Sequence, residues 1–384
     1  MSLPMRIPII YQGVGSLEQL RNFKENRILI VTDKTIRQMV GDKLSDYFQG
    51  REVKIFDEVE PDPKDIIMVK GGDIAREFEP ELIIGIGGGS AMDTAKAIYF
   101  LYGQESLKLY DMNVISEYNL SEKSKLVLIP TTSGTGAEHT PGLVVTNTET
   151  EQKISLASFE LVPQSVILDP TLVLSMPKKL TISTGLDALT QAIESASAKM
   201  GSDFTQALNL YAIKILFEYL PKAAKEGASD INVRAKVHNA ASMAGMAFGN
   251  SGLGIAHSFG HALGGAFHIP HGITVGVMLP YTIEFNKPEC EDKYVEILEC
   301  LNITGVKDPT AKLSSIVKDL LKKLDTPSSI KELGVSEKDW KENFEKLVDW
   351  TKNDILTMIN PRLASEEDVK KIFQYAYEGK TIDF

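Results

Sequence analysis

Two histidines, His257 and His261, stand four residues apart, and a third, His271, follows between Pro270 and Gly272. On a helix the i, i+4 spacing turns the first two imidazoles to one side, while Pro and Gly fix a turn at the third. Asp187 and Gln191 repeat that spacing within a helical stretch at residues 185–194. One carboxylate with two or three imidazoles is a ligand set for Fe(II) or Zn(II), with a position left for substrate. The surroundings sharpen the reading. Residues 237–283 contain no Asp, Glu, Lys or Arg, in a chain that is 24% charged, so this segment must be largely buried. Every histidine except His139 falls inside it: His238, His257, His261, His268 and His271. Titratable groups in a dry wall are costly unless they are hydrogen-bonded or bound to something.

A second group of residues suits phosphate. Residues 85–90 (GIGGGS) close an apolar run and open a helical pattern. Consecutive glycines let backbone N–H groups approach a phosphate with no Cβ in the way, and a helix N-terminus behind them favours negative charge. The spacing is not GxGxxG, and the plain alternative is a tight strand-to-helix turn. Residues 130–138 (PTTSGTGAE) follow another apolar run and offer several hydroxyls as short donors. Asp33 ends a third run. It could accept both ribose hydroxyls of an adenosine and so select NAD over NADP, or it could simply cap a helix.

These groups need a frame. Residues 27–32, 52–56, 81–86 and 125–129 are aliphatic runs of strand length with helical stretches between them. That alternation predicts a doubly wound, Rossmann-like α/β domain with a parallel sheet, whose ligands sit at the carboxyl ends of strands. Beyond about residue 180 the strand signals fade. Residues 185–200, 203–226 and 231–248 carry apolar side chains at helical spacing, and residues 309–380 alternate charged helical stretches with turns. The expected organisation is an α/β domain over residues 1–180 and an all-helical domain over residues 181–384, sharing a close interface and a cleft.

Composition bounds the function. At 384 residues the chain is long enough for two domains, and its net charge of −11 repels nucleic-acid backbones and anionic lipid, so neither is an expected partner. Cys290 and Cys300 form no CxxC pair, which removes a disulfide framework and a cysteine zinc site and fits a reducing cytoplasm. The start MSLPMRIPII lacks the pattern of a secretory leader, with Met5 a candidate native start.

Taken together, the chain resembles the iron-containing (group III) alcohol dehydrogenase family over nearly its whole length. The matching pieces are residues 87–96 (GGGSAMDTAK), 130–138 (PTTSGTGAE), 183–189 (STGLDAL), and the stretch from 257–261 (HSFGH) to 270–272 (PHG). The resemblance implies a dehydroquinate synthase-like fold and an NAD(P)-dependent, metal-dependent enzyme that moves a hydride between a small alcohol and nicotinamide. It also implies a homodimer. Position by position, it implies that Gly88, Gly89 and Ser90 hold the pyrophosphate, with Asp93 on the same unit. Thr131, Thr132, Thr135 and Lys153 would serve the nicotinamide-side half, and Asp33 goes with NAD preference. Asp187, His257 and His271 match metal ligands, and His261 matches a histidine near the reacting centre, suited to relaying a proton.

Gln191 departs from that pattern, standing where the family places a fourth ligand histidine. A neutral amide oxygen binds more weakly than imidazole, so iron affinity should fall. Glycerol dehydrogenases of the same superfamily manage with three protein ligands and zinc, which keeps zinc beside iron and a polyol beside a small alcohol. A dehydroquinate synthase-like lyase would need Lys and Arg around the metal, and residues 237–283 offer none. A metal-free nucleotide binder is a further alternative. Phe248, Phe259 and Phe267 form either an apolar pocket for a primary alcohol or plain core. His139 reads as an exposed loop histidine.

Overall fold

The computed structural model describes residues 5–40, 43–150, 152–225 and 230–384. Met1 to Pro4, on which part of the leader reading rests, and Glu226, the expected end of the second helical stretch, lie outside the described residues. The chain divides into two compact units, Met1–Ser175 and Met176–Phe384.

The first unit contains strands β1 (Ile9–Gln12), β2 (Arg27–Val31), β3 (Glu52–Phe56), β4 (Leu82–Gly87), β5 (Lys125–Pro130), β6 (Gly142–Thr146), β7 (Lys153–Ala157) and β8 (Ser165–Leu168). Its helices are α1 (Lys34–Val40), α2 (Lys43–Asp46), α3 (Asp65–Phe78) and α4 (Gly89–Gly103). Six strands form one sheet in the order β1-β8-β5-β4-β2-β3, and every neighbouring pair is parallel. The long aliphatic runs follow from burial on both faces. Ile28, Ile30, Ile84, Ile86 and Val127 enter a core with Val40, Leu44 and Phe48, whereas Leu29, Ile83, Leu126 and Leu128 enter another with Met68, Ala75, Met92 and Ile98.

The structure adds four strands that the run pattern lacks. Strands β1 and β8 complete one end of the sheet, and both are four residues long, too short to carry a periodic signal. Strands β6 and β7 form a separate antiparallel hairpin.

The second unit comprises α5 (Lys178–Ser197), α6 (Asp203–Ala223), α7 (Ile231–Ser251), α8 (Ile255–Phe267), α9 (His271–Phe285), α10 (Lys287–Cys300), α11 (Pro309–Lys323), α12 (Glu337–Asn353), α13 (Ile355–Ile359) and α14 (Glu366–Glu378). No strand occurs among its described residues. The unit begins before α5, so a boundary at residue 180 would cut the first turn of that helix. The charge-free segment becomes the second half of α7, α8 and α9, and most of it is buried, although His268 caps α8 in a left-handed, exposed conformation. Phe259 is fully buried and meets Phe373 edge to face at 4.6 Å, and Phe267 packs against the same core. Two of the three candidate pocket phenylalanines are therefore core residues; Phe248 stays half-buried. Among the described residues no helix is long and apolar enough to cross a membrane.

Candidate metal centre and nucleotide loops

Helix α5 presents Asp187, Gln191 and Glu194 at i, i+4 and i+7, one face of the helix, and all three are buried. His257 lies in the first turn of α8, and His271 is the first residue of α9, preceded by Pro270. A Cβ on Gly272 would fall 1.8 Å from the Ser183 carbonyl oxygen, so only glycine lets the start of α9 press this closely on α5. Asp187 Oδ1 consequently lies 3.5 Å from Nε2 of His257 and 3.5 Å from Nε2 of His271. One ligand atom from each residue falls within 4.8 Å of the others.

The charges agree with this convergence. Burial favours the neutral acid at Asp187, but the nearby His257, with the charge of His271, holds its carboxyl below the usual range. Burial likewise opposes charge on His257, yet Glu194 and Asp187 raise it to about 9. Asp187 Oδ1 and His257 Nε2 are both buried with no hydrogen-bond partner among the described residues. Leaving such atoms unsatisfied costs about 1–3 kcal/mol each, and a cation would complete them. Two imidazoles and a carboxylate suit a divalent ion of the iron or zinc kind.

Sequence reasoning missed two carboxylates that hold these histidines. Glu194 Oε2 lies 2.5 Å from His257 Nδ1. Its i+7 relation to Asp187 could have revealed it. Asp354 Oδ2 lies 2.8 Å from His261 Nδ1 across a sequence separation of 93, with no local signal. Burial would raise the Asp354 carboxyl, but its bond to His261 keeps it low. The His261 ring stacks on His271 with centroids 5.2 Å apart and planes at 19°, and its side chain is 34% exposed.

In the first unit, β2, β4 and β5 are neighbours, so the loops at their carboxyl ends gather at one edge. Gly88 caps α4 without a side-chain hydrogen bond, and a Cβ on Gly89 would lie 3.0 Å from Thr135 Cγ2, so the glycine and threonine loops touch. Ser90 and Thr132 are half-buried beside them. Thr131 donates its N–H to the Gly87 carbonyl at 2.9 Å, and its hydroxyl is buried without a hydrogen-bond partner among the described residues. Asp33 Oδ1 caps α1, accepting from Thr35 and Ile36 N–H at 2.8 and 3.0 Å, while Oδ2 faces Gly87. The cap thus uses one oxygen and leaves the other toward the glycine loop.

Asp93, Lys153 and His139 make contacts that the sequence does not announce. Asp93 accepts the Val144 N–H at 3.0 Å and ties α4 to β6, and burial pushes its carboxyl up to about 6 despite Lys96 nearby. Lys153 is exposed on β7, its ammonium 2.6 Å from Asp62. His139 is wholly buried rather than exposed. The buried Lys96 ammonium explains this: it donates to the carbonyls of Thr140 and Gly142 at 2.8 and 2.7 Å, drawing the chain after His139 onto α4. Burial, then the Lys96 charge, lowers His139 to about 3.

Comparison with known proteins follows the same two-part division. A family model described as iron-containing alcohol dehydrogenase matches residues 8–170. Its C-terminal counterpart, the Fe-containing alcohol dehydrogenase family, matches residues 181–377. The NADPH-dependent butanol dehydrogenase of Clostridium saccharobutylicum is 38% identical over 382 residues, covering 98% of each protein. The bifunctional aldehyde-alcohol dehydrogenase AdhE of Escherichia coli K12 is 36% identical over 396 residues, 95% of this chain but 44% of that protein. The solved iron-containing alcohol dehydrogenase of Thermococcus thioreducens superposes with a TM-score of 0.89 at 30% identity, covering 97% of this chain and 99% of that one.

Proposed function

The chain belongs to the iron-containing alcohol dehydrogenase family and is an oxidoreductase acting on alcohols with NAD(P), and from that premise we propose that it interconverts a small primary alcohol and its aldehyde, with NAD preferred. The observation that carries this reading is the convergence of Asp187 Oδ1 with His257 Nε2 and His271 Nε2 at 3.5 Å. These three residues would hold Fe2+ or Zn2+, with Gln191 as a fourth donor. When bound, the ion supplies Lewis acidity toward the substrate oxygen and the nicotinamide supplies the hydride acceptor.

The protein's own groups do the rest. The backbone amides at the start of α4, at Gly88, Gly89 and Ser90, would receive the pyrophosphate, helped by the helix dipole. Thr131, Thr132 and Thr135 offer donors to the nicotinamide side, and Asp93, on the same loop-helix unit, ties α4 to β6. Lys153, held by Asp62, is left out of this set. The outer oxygen of Asp33 accepts from a ribose and repels a 2′-phosphate, which supports NAD even though the butanol dehydrogenase relative is NADPH-dependent by name. His261 takes up and releases the proton at Nε2, because Asp354 engages Nδ1 and the ring reaches solvent.

The Gln191 amide favours a second reading for the metal, zinc with three protein ligands, and with it a polyol substrate. A homodimer is supported by the β1 edge, where Ile7 and Ile9 are 55% and 60% exposed beside a strand flank that is unpaired among the described residues. Two free cysteines fit a reducing cytoplasm. Elemental analysis with an NADH-linked panel of aldehydes, glycerol and diols tests the proposal. Bound metal and preference for small aldehydes over glycerol support it; preference for glycerol, or full activity without metal, overturns it.

A further inference from the structure

Helix α8 carries both His257 and His261, yet its N-cap is Gly254, which has no side chain to satisfy the first amides. Two remote side chains do so instead. Asn360 Oδ1 accepts from Ile255 N–H at 3.1 Å, and Glu194 Oε1 accepts from Ala256 N–H at 2.6 Å. A Cβ on Gly254 would lie 2.8 Å from Glu194 Oε1 and 2.9 Å from Asn360 Oδ1, so both approaches depend on glycine at that point.

The two caps differ in what else they touch. Asn360 turns its amide to Asn286 and the Arg362 carbonyl. Glu194 reaches His257 Nδ1 with its second oxygen, and its side chain is only 5% exposed. An ionised carboxylate can only accept, so His257 must carry a proton on Nδ1, which leaves Nε2, facing Asp187 and His271, as the nitrogen that exchanges its proton for an ion. The position also suits the charge, since the N-terminus of a helix favours an anion.

We propose that Glu194 is a positioning residue of the metal centre: one oxygen anchors the start of α8, and the other fixes the tautomer and rotation of His257. This rests on the ligand role proposed above for Asp187, His257 and His271. Glutamine at this place would bring one oxygen and one NH2 group. Either the NH2 opposes the Ala256 N–H, or it donates to His257 Nδ1 and moves the ring proton to Nε2, where it blocks ligation.

The test uses full-length enzyme stripped with a chelator, measuring Zn2+ affinity by competition with a chromogenic chelator and the melting midpoint of the stripped protein. Glu194→Gln should bind Zn2+ about 10–100-fold more weakly than wild type. Asn360→Ala removes a cap from the same helix end, so it should lower the melting midpoint yet keep Zn2+ affinity within about threefold. Glu194→Asp keeps the charge with a shorter reach and should fall between wild type and Glu194→Gln. Wild-type affinity in Glu194→Gln, or an equal loss in Asn360→Ala, overturns the proposal. If Glu194→Gln does not fold, wild-type affinity in Glu194→Asp does the same. His271→Ala separates the two readings: unchanged Zn2+ affinity there defeats the ligand set itself, whereas a loss there with none in Glu194→Gln defeats only the role of Glu194.

Discussion

Asp187 Oδ1 and His271 Nε2 approach to 3.5 Å although one side chain sits in the middle of α5 and the other begins α9. The approach is set by backbone, since the residue after His271 meets the Ser183 carbonyl where no Cβ fits. Gly272→Ala should therefore push α9 from α5, costing about 1–3 kcal/mol of stability and weakening metal binding by at least about tenfold. Chemical denaturation and chelator competition measure the two effects. An alanine variant with wild-type values for both would contradict the packing argument.

Gln191 follows Asp187 by one helical turn and shares its buried face. Gln191→His would supply a third imidazole in place of an amide. Fe2+ affinity, measured anaerobically by competition, should rise about tenfold or more. An unchanged affinity would mean that position 191 does not face the ion.

At Asp33 the loss of the capping oxygen and the loss of the outer oxygen have different readouts. Asp33→Gly costs only a few tenths of a kcal/mol as a cap, because glycine is a tolerated N-cap. It removes the group that repels a 2′-phosphate. The NADPH/NADH ratio of kcat/KM should rise by about tenfold or more, the equivalent of roughly 1.4 kcal/mol. A constant ratio rules out Asp33 as the selector.

His139 gives a pH prediction. Its folded value of about 3 lies below the ordinary 6.5, so below pH 6.5 the unfolded chain binds a proton that the native one refuses. Its contribution to stability is complete above pH 6.5 and is lost as the pH falls toward 3. At about 1.4 kcal/mol per pH unit the loss reaches about 2 kcal/mol at pH 5. His139→Leu should shrink the difference in unfolding free energy between pH 7.5 and pH 5 by that amount. An identical acid limb in both proteins would show that His139 is not buried neutral.

Legibility in the sequence followed the range of the interactions. Strands β2, β4 and β5 could be read because each feeds two cores and so is aliphatic throughout, whereas β1 and β8 are four residues of mixed or brief pattern. The helical spacing of His257 with His261, and of Asp187 with Gln191, was visible because a helix converts spacing directly into direction. Glu194 obeys the same rule, but a carboxylate near a helix end ordinarily reads as solvated. The partners Asp354 and Asn360 reach α8 from more than ninety residues away, and nothing local announces them. His139 shows the same limit, since its burial depends on Lys96 pulling in the chain beyond it.

The most direct measurement is made on His271→Ala: bound metal by elemental analysis, together with kcat/KM for NAD-linked oxidation of a small primary alcohol. The account predicts that the ion is lost and that kcat/KM falls on the order of 10³-fold, corresponding to several kcal/mol of transition-state stabilisation. Retention of the wild-type metal content with full activity would contradict it.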